Sequence, residues 1–215
     1  MKSLLVLGPD SSLRGIYSIA CQAWPGRQVE MLAVPSADYY HFDLSGLQRF
    51  EPCEWQVCVV VNEFYINDVR RALQEQVRAM GYEPASIVSP RADIDPGALL
   101  GENVIIQGGC AVGAGVRIGN YTTLRPNVVV SEDVTLGSFV TLEANVAIRE
   151  GAKIGSFTTI CANSSLARLT QVGAHCYLNL QRHYSGTIAD MTFYSPQFEF
   201  PVRVLGGTAD GGCNQ

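Results

Sequence analysis

Histidine is scarce in this 215-residue chain, with only His41, His175 and His183 present. They lie too far apart and too irregularly to read as a zinc ligand set, and they leave few positions for imidazole chemistry. Charged residues are sparse as well, at 16% against roughly a quarter in an average soluble protein. No basic run occurs, and the formal net charge is -5, which argues against nucleic acid or an acidic membrane surface as partner. The longest apolar runs, Val57 to Val61 and the opening Ser3 to Leu7, have strand length, so no membrane insertion is expected. The opening run also lacks the order of a signal peptide, and a cytoplasmic location is the expectation. The seven cysteines show no paired spacing, and Cys53 and Cys58 are too far apart for a CxxC knuckle. A reducing compartment and no metal follow.

What is present is a period. From Ile94 to Leu178 every sixth residue is Ile, Leu or Val, without one interruption. Four residues after each stands a small or β-branched side chain, such as Val104, Cys110, Val128, Thr158 or Cys176. An aliphatic side chain that fills a narrow prism beside a short one, once every six residues, is the signature of a parallel β-helix. A buried thiol in the small slot acts as a small hydrophobe.

Three such walls close one coil, so residues eighteen apart stack. Gly101, Gly119, Gly137, Gly155 and Gly173 form one column, where a residue without Cβ is expected to pass a sharp bend. Tyr121, Phe139, Phe157 and His175 form a second. Asn127, Asn145 and Asn163 form a third, with side chains that tolerate a left-handed backbone. The fold class is therefore an α/β N-terminal domain followed by a left-handed parallel β-helix of hexapeptide repeats. The expected division is 1–88 for the small α/β domain, 89–183 for the β-helix and 184–215 for a C-terminal extension.

In the first part, Ser3 to Leu7, Gln28 to Val34 and Gln56 to Val61 read as strands. The stretch before Trp24 reads as a helix. A second helix is expected from Asn67 to Met80, with Asn67 or Asp68 as N-cap, Val69, Leu73, Val77 and Met80 on its apolar face and Gly81 as its stop. In a parallel α/β sheet a ligand binds beyond the carboxyl ends of the strands, here near Gly8, Ser11 and Arg14. Pro9 and Asp10 make a poor phosphate turn. Serines at the helix start can hold an anion, or Asp10 or Ser11 can simply cap the helix.

The α/β domain, the linker GYEPASIVSPRADID and the uninterrupted hexads together resemble the bacterial sugar acetyltransferases that include sialic acid O-acetyltransferases and the bacillosamine and perosamine N-acetyltransferases. That resemblance implies a homotrimer with acetyl-CoA in the groove between neighbouring β-helices and a nucleotide-linked sugar held by the N-terminal domain. Its catalytic signature is a Glu-His-Asp run in which the histidine takes the acceptor's proton. Here the aligned run is Ser131-Glu132-Asp133: Asp133 matches, and Glu132 stands where the histidine belongs. A carboxylate has a reference pKa near 4.3, about two units below imidazole, and needs burial to serve as a base at neutral pH. Thr141 and Glu150 stand at positions that the resemblance assigns near the coenzyme. Gly8 and Arg14 are what remains of its glycine-rich turn.

Glu132, Glu150 and Arg168 are eighteen apart and should form an acid, acid, base ladder on one corner, either a solvated edge or a remodelled site. His175 continues the aromatic column, which gives it a structural role. His183 begins the C-terminal stretch and could face a neighbour's groove. The aromatic segment Phe193 to Phe198 is expected to cap the prism or reach another subunit. Two functions stay open: an acyl-CoA-dependent transferase acting on a sugar or similar small acceptor, with Glu132 and Asp133 in an altered base arrangement, and a trimeric binding or scaffold protein that kept the fold and lost the chemistry.

Overall fold

The computed structural model describes residues 2–9, 12–36, 38, 40–62 and 67–204. Strands β1 (Ser3–Gly8), β2 (Val29–Ala33), β3 (Trp55–Val59) and β4 (Glu83–Pro84) form one parallel sheet in the order β2-β1-β3-β4. Leu4, Leu5, Val6 and Leu7 are fully buried because helices cover both faces of β1, the arrangement that a continuous apolar run requires. Helix α1 (Ser12–Ala23) buries Leu13, Ile16 and Ala20 on one side. Helix α2 (Asn67–Ala79) buries Val69, Leu73 and Val77 on the other. Gly81 ends α2 in the left-handed region at φ 90°. One expectation for α2 fails, since Met80 is exposed, and the Asn67 amide turns toward the prism.

The hexads close a parallel β-solenoid with three walls. Strands at Ile105–Ile106, Thr123–Leu124, Thr141–Leu142 and Thr159–Ile160 belong to the first wall; those at Ala111–Val112, Val129–Val130, Ala147–Ile148 and Ser165–Leu166 to the second; those at Arg117–Ile118, Thr135–Leu136, Lys153–Ile154 and Gln171–Val172 to the third. Each residue pairs with the one eighteen ahead, as Thr123 with Thr141 and Val129 with Ala147. The aliphatic ladder points inward, and Leu124, Leu142, Ile160 and Leu166 are fully buried in one continuous core. Among the described residues no helix is long and apolar enough to cross a membrane.

Solenoid strands run from Ile87 to Tyr194, past both ends of the aliphatic count. At the upper end Leu166 pairs with Tyr184, so a tyrosine takes the inward slot. The next corner is short: Gln171 pairs with Thr187 and Tyr177 with Phe193, sixteen residues ahead instead of eighteen. That shortening breaks the six-residue count although the wall continues. Tyr194 meets Tyr184 edge to face at 5.1 Å, and the pair closes the end of the core. Phe198 and Phe200 do not take part and remain exposed.

The column of glycines has a different cause from the sharp bend expected. A Cβ on Gly137 would lie 2.6 Å from the Ser156 backbone nitrogen, and one on Gly119 would lie 2.5 Å from the Gly137 carbonyl carbon. These glycines allow one coil to stack on the next. The left-handed residues come two positions later and are Tyr121, Phe139, Phe157 and His175, with φ between 54° and 61°. Their rings stack at 4.6, 4.8 and 4.6 Å down the prism edge, a contact that helps offset the unfavourable backbone.

Candidate functional site

The α/β domain sits on the first wall of the prism. Asn103 holds its lower part by pairing both ways with Val59, accepting from the Val59 N–H at 2.8 Å and donating to its carbonyl at 3.0 Å. Arg70 of α2 holds the upper part and is 2% exposed. Its Nη1 donates to the Tyr121 carbonyl at 2.5 Å and to Thr123 Oγ1 at 3.3 Å. Nη2 donates to Thr141 Oγ1 at 2.6 Å and to Asn67 Oδ1 at 3.0 Å. Asn67 in turn donates to Thr159 Oγ1 at 3.0 Å. Burial lowers the Arg70 pKa to about 10, and the thiol of Cys58 beside it is raised by the same desolvation.

Thr141, expected near the coenzyme, is taken into this junction: its side chain is buried under α2, and its hydroxyl donates to Asn67 and accepts from Arg70. His175 keeps the structural place that its column assigns: it stacks on Phe157, and its Nδ1 lies 3.9 Å from Asp68 of α2.

With the first wall covered, the corner between the second and third walls is an edge left open among the described residues. Here Glu132 and Asp133 are exposed, and Asp133 adopts φ 56°. The burial that a carboxylate base needs is therefore not provided within one chain. One coil higher, Glu150 is bound by Arg168 at 3.0 Å, which turns the upper half of the ladder into an exposed ion pair of small energetic value. Leu169 follows at φ 60° and is 71% exposed, an unusual place for a branched apolar side chain.

Two concavities lie on the open walls. The one on the second wall, about 440 Å³, is lined by Asp93, Asp95, Ala111, Val129 and Glu132, with three carboxylates and no cation. The one on the third wall, about 530 Å³, is lined by Thr135, Lys153, Gln171, Thr187, Asp190 and Arg203 around a floor of Gly137, Gly155 and Gly173. Among the described residues no cluster of His, Cys, Asp and Glu is fit to hold a metal ion.

Gly8 and Arg14 are far from this corner in the fold, on the domain that covers the first wall. Gly8 is needed where β1 meets β3, since a Cβ would collide with the Val60 carbonyl, and Arg14 is exposed on α1. Ser11 lies outside the described residues. On the second wall, His183 faces outward and its Nδ1 is 2.8 Å from Ser165 Oγ. That pairing was available from the eighteen-residue spacing. The Arg70 junction and the place of Arg203 on the third wall were not, because neither follows a period.

Comparison with known proteins agrees with this architecture. Residues 97–132 match the family model described as bacterial transferase hexapeptide (six repeats). No curated protein matches the chain. Among solved structures, the acetyltransferase domain of PglB from Neisseria gonorrhoeae FA1090, in complex with acetyl coenzyme A, superimposes with a TM-score of 0.76 at 17% identity, covering 90% of this chain and 96% of that one. The fold is that of this acetyltransferase domain. Perosamine N-acetyltransferase from Caulobacter crescentus, in complex with CoA and GDP-perosamine, gives 0.55 at 20% identity, over 90% of this chain and 93% of that one. WeeI from Acinetobacter baumannii AYE gives 0.51 at 15%, over 90% and 96%.

Proposed function

We propose that this chain is an acyl-CoA-dependent transferase, active as a homotrimer in the cytoplasm, that moves an acetyl group to a nucleotide-linked sugar or similar small acceptor for surface polysaccharide synthesis. The observation that carries the reading is the agreement of fold over 90% of the chain with a domain bound to acetyl coenzyme A. The placement of the α/β domain supports the trimer. Because it covers the first wall, an acceptor held near Gly8 lies across the prism from Glu132 of its own chain, and the open corner of a neighbouring chain is the one it can approach.

Acetyl-CoA supplies the acyl group as a reactive thioester. Glu132 takes the proton from the acceptor's amine or hydroxyl as that atom attacks the carbonyl, and returns it to the departing thiolate. In the trimer a neighbouring subunit covers the open corner and removes Glu132 and Asp133 from water.

The test is a calorimetric titration of the full chain with acetyl-CoA, followed by transfer assays on Glu132→Gln. Binding together with a loss of turnover by about 100-fold or more in the variant is the expected result. Absence of binding at millimolar acetyl-CoA would instead leave a trimeric scaffold, and an unchanged rate in Glu132→Gln would remove Glu132 from the chemistry.

A further inference from the structure

The apolar side chains that folding leaves uncovered are not spread evenly over the molecule. Among the described residues, Phe198, Phe200, Val202 and Val204 are all exposed, Phe200 at 73%, and no other stretch leaves more than two large apolar side chains exposed together. They stand on the segment after the prism. Its strand Val202–Arg203 pairs antiparallel with Thr192 and Phe193 and is the outermost strand of the first wall, at the upper rim. The Val204 N–H donates to the Met191 carbonyl at 3.0 Å and Arg203 Nε to the Asp190 carbonyl at 3.2 Å, so the strand is tied to the prism while its apolar side chains stay outside. Tyr184 and Tyr194 already close the core, and the segment is not needed as a cap. A contiguous apolar patch of this kind marks a contact surface.

Residues 205–215 offer little to cover it, since Leu205 is their one large apolar side chain among glycines and polar residues. The segment itself names a better occupant. From Phe198 to Val204 the order is apolar, acid, apolar, proline, apolar, base, apolar. Reversed end for end, the same order returns with the two charges exchanged. A second copy laid antiparallel across a two-fold axis at Pro201 therefore sets Phe198 against Val204, Glu199 against Arg203 and Phe200 against Val202, and each pairing occurs twice. A parallel alignment in register would instead oppose Glu199 to Glu199 and Arg203 to Arg203. Pro201 has no N–H to give at the centre, so the contact rests on side chains and not on a strand ladder.

We propose that the segment from Phe198 to Val204 is a two-fold contact surface for a second copy of this chain, with Glu199 and Arg203 paired across the axis. Seven residues a side is small against the roughly 20–30 of a standard interface, so one such contact is weak alone. Several made at once reinforce one another. With the homotrimer of the proposed function, three upper rims meet three others and six chains assemble. Without it, the same contact gives a weak dimer.

Sedimentation equilibrium of the full chain, from micromolar to submillimolar concentration, tests the contact. The expected mass is that of six chains, halved in Phe200→Asp, whose exposed position leaves the melting temperature unchanged. Glu199→Arg and Arg203→Glu should each halve the mass as well, and an equimolar mixture of these two variants should recover it, because each then meets the opposite charge. A merely structural effect of either substitution cannot be undone by mixing. A parent of three chains at every concentration overturns the proposal, keeps the trimer and leaves the patch to a partner of another kind. A parent that reaches two chains upholds the contact and overturns the trimer, while a lone chain throughout overturns both. A parent mass that Phe200→Asp does not change, or a mixture that stays apart, also overturns the proposal.

Discussion

Arg70 Nη2 and Thr141 Oγ1 meet at 2.6 Å although seventy-one positions separate them in sequence. The contact joins α2 to the first wall and contains no carboxylate: a fully buried guanidinium is held by a carbonyl, two hydroxyls and an amide. Its value lies in satisfying groups that would otherwise be buried without partners.

Thr141→Val should therefore destabilise the chain by about 1–3 kcal/mol, since it keeps the shape and leaves Arg70 and Asn67 each short of a partner. Thr141→Ser should recover most of the loss. Urea denaturation of the two variants checks both.

Leu142→Ala removes a fully buried member of the inward ladder. The expected cost is about 2–5 kcal/mol from lost transfer energy and the cavity left behind. Thermal unfolding of the variant against the parent measures it.

Gly137→Ala places a methyl 2.6 Å from the Ser156 nitrogen, and the neighbour is backbone that cannot turn aside. A loss of about 1–3 kcal/mol is expected. Gly26→Ala meets nothing within 4 Å and should leave the melting temperature nearly unchanged.

At Phe139 the backbone is left-handed, with φ 58°. Phe139→Asn and Phe139→Val both remove the stacked ring, but asparagine tolerates that conformation and a β-branched side chain does not. The valine variant should melt lower than the asparagine variant; equal melting would show that the stack alone governs this column.

Tyr184 donates to the Leu180 carbonyl at 2.7 Å, and burial raises its pKa to about 12 from an ordinary 10. Above pH 10 the unfolded chain releases this proton while the folded chain keeps it. The contribution of Tyr184 is therefore intact below pH 10 and falls as pH rises toward 12. Tyr184→Phe should reduce the alkaline fall in denaturant titrations run across the same range; the rest of it comes from Tyr82, Tyr177 and the thiols of Cys58, Cys110, Cys161 and Cys176, whose pKa values burial also raises.

Outside the fold, what the chain showed in advance was confined to features that followed the period. The alignment of Glu132, Glu150 and Arg168 on one corner and the place of His175 in the aromatic column both rest on spacing by eighteen, which the backbone register turns into contact between Glu150 and Arg168 and between Phe157 and His175. The period also placed Thr141 on a wall, but it carried no information on what covers that wall. Arg203 was invisible for a related reason. It lines the third-wall concavity because the last strand, Val202–Arg203, turns back antiparallel along Thr192 and Phe193, and a count by sixes ends before that strand.

The sequence by itself determined the prism, its inward ladder and its stacked columns, because a side chain repeated every six residues has only one way to be buried. It also determined the parallel α/β sheet, through strands apolar on both faces. Only the tertiary structure decided which wall the α/β domain takes, that Thr141 is lost to the solvent and that Glu132 is not. Those outcomes depend on single polar groups, Arg70, Asn67 and Asn103, which find their partners across the domain junction. Such a match is made once, by shape and hydrogen bonding between distant segments, and leaves no periodic trace in the chain.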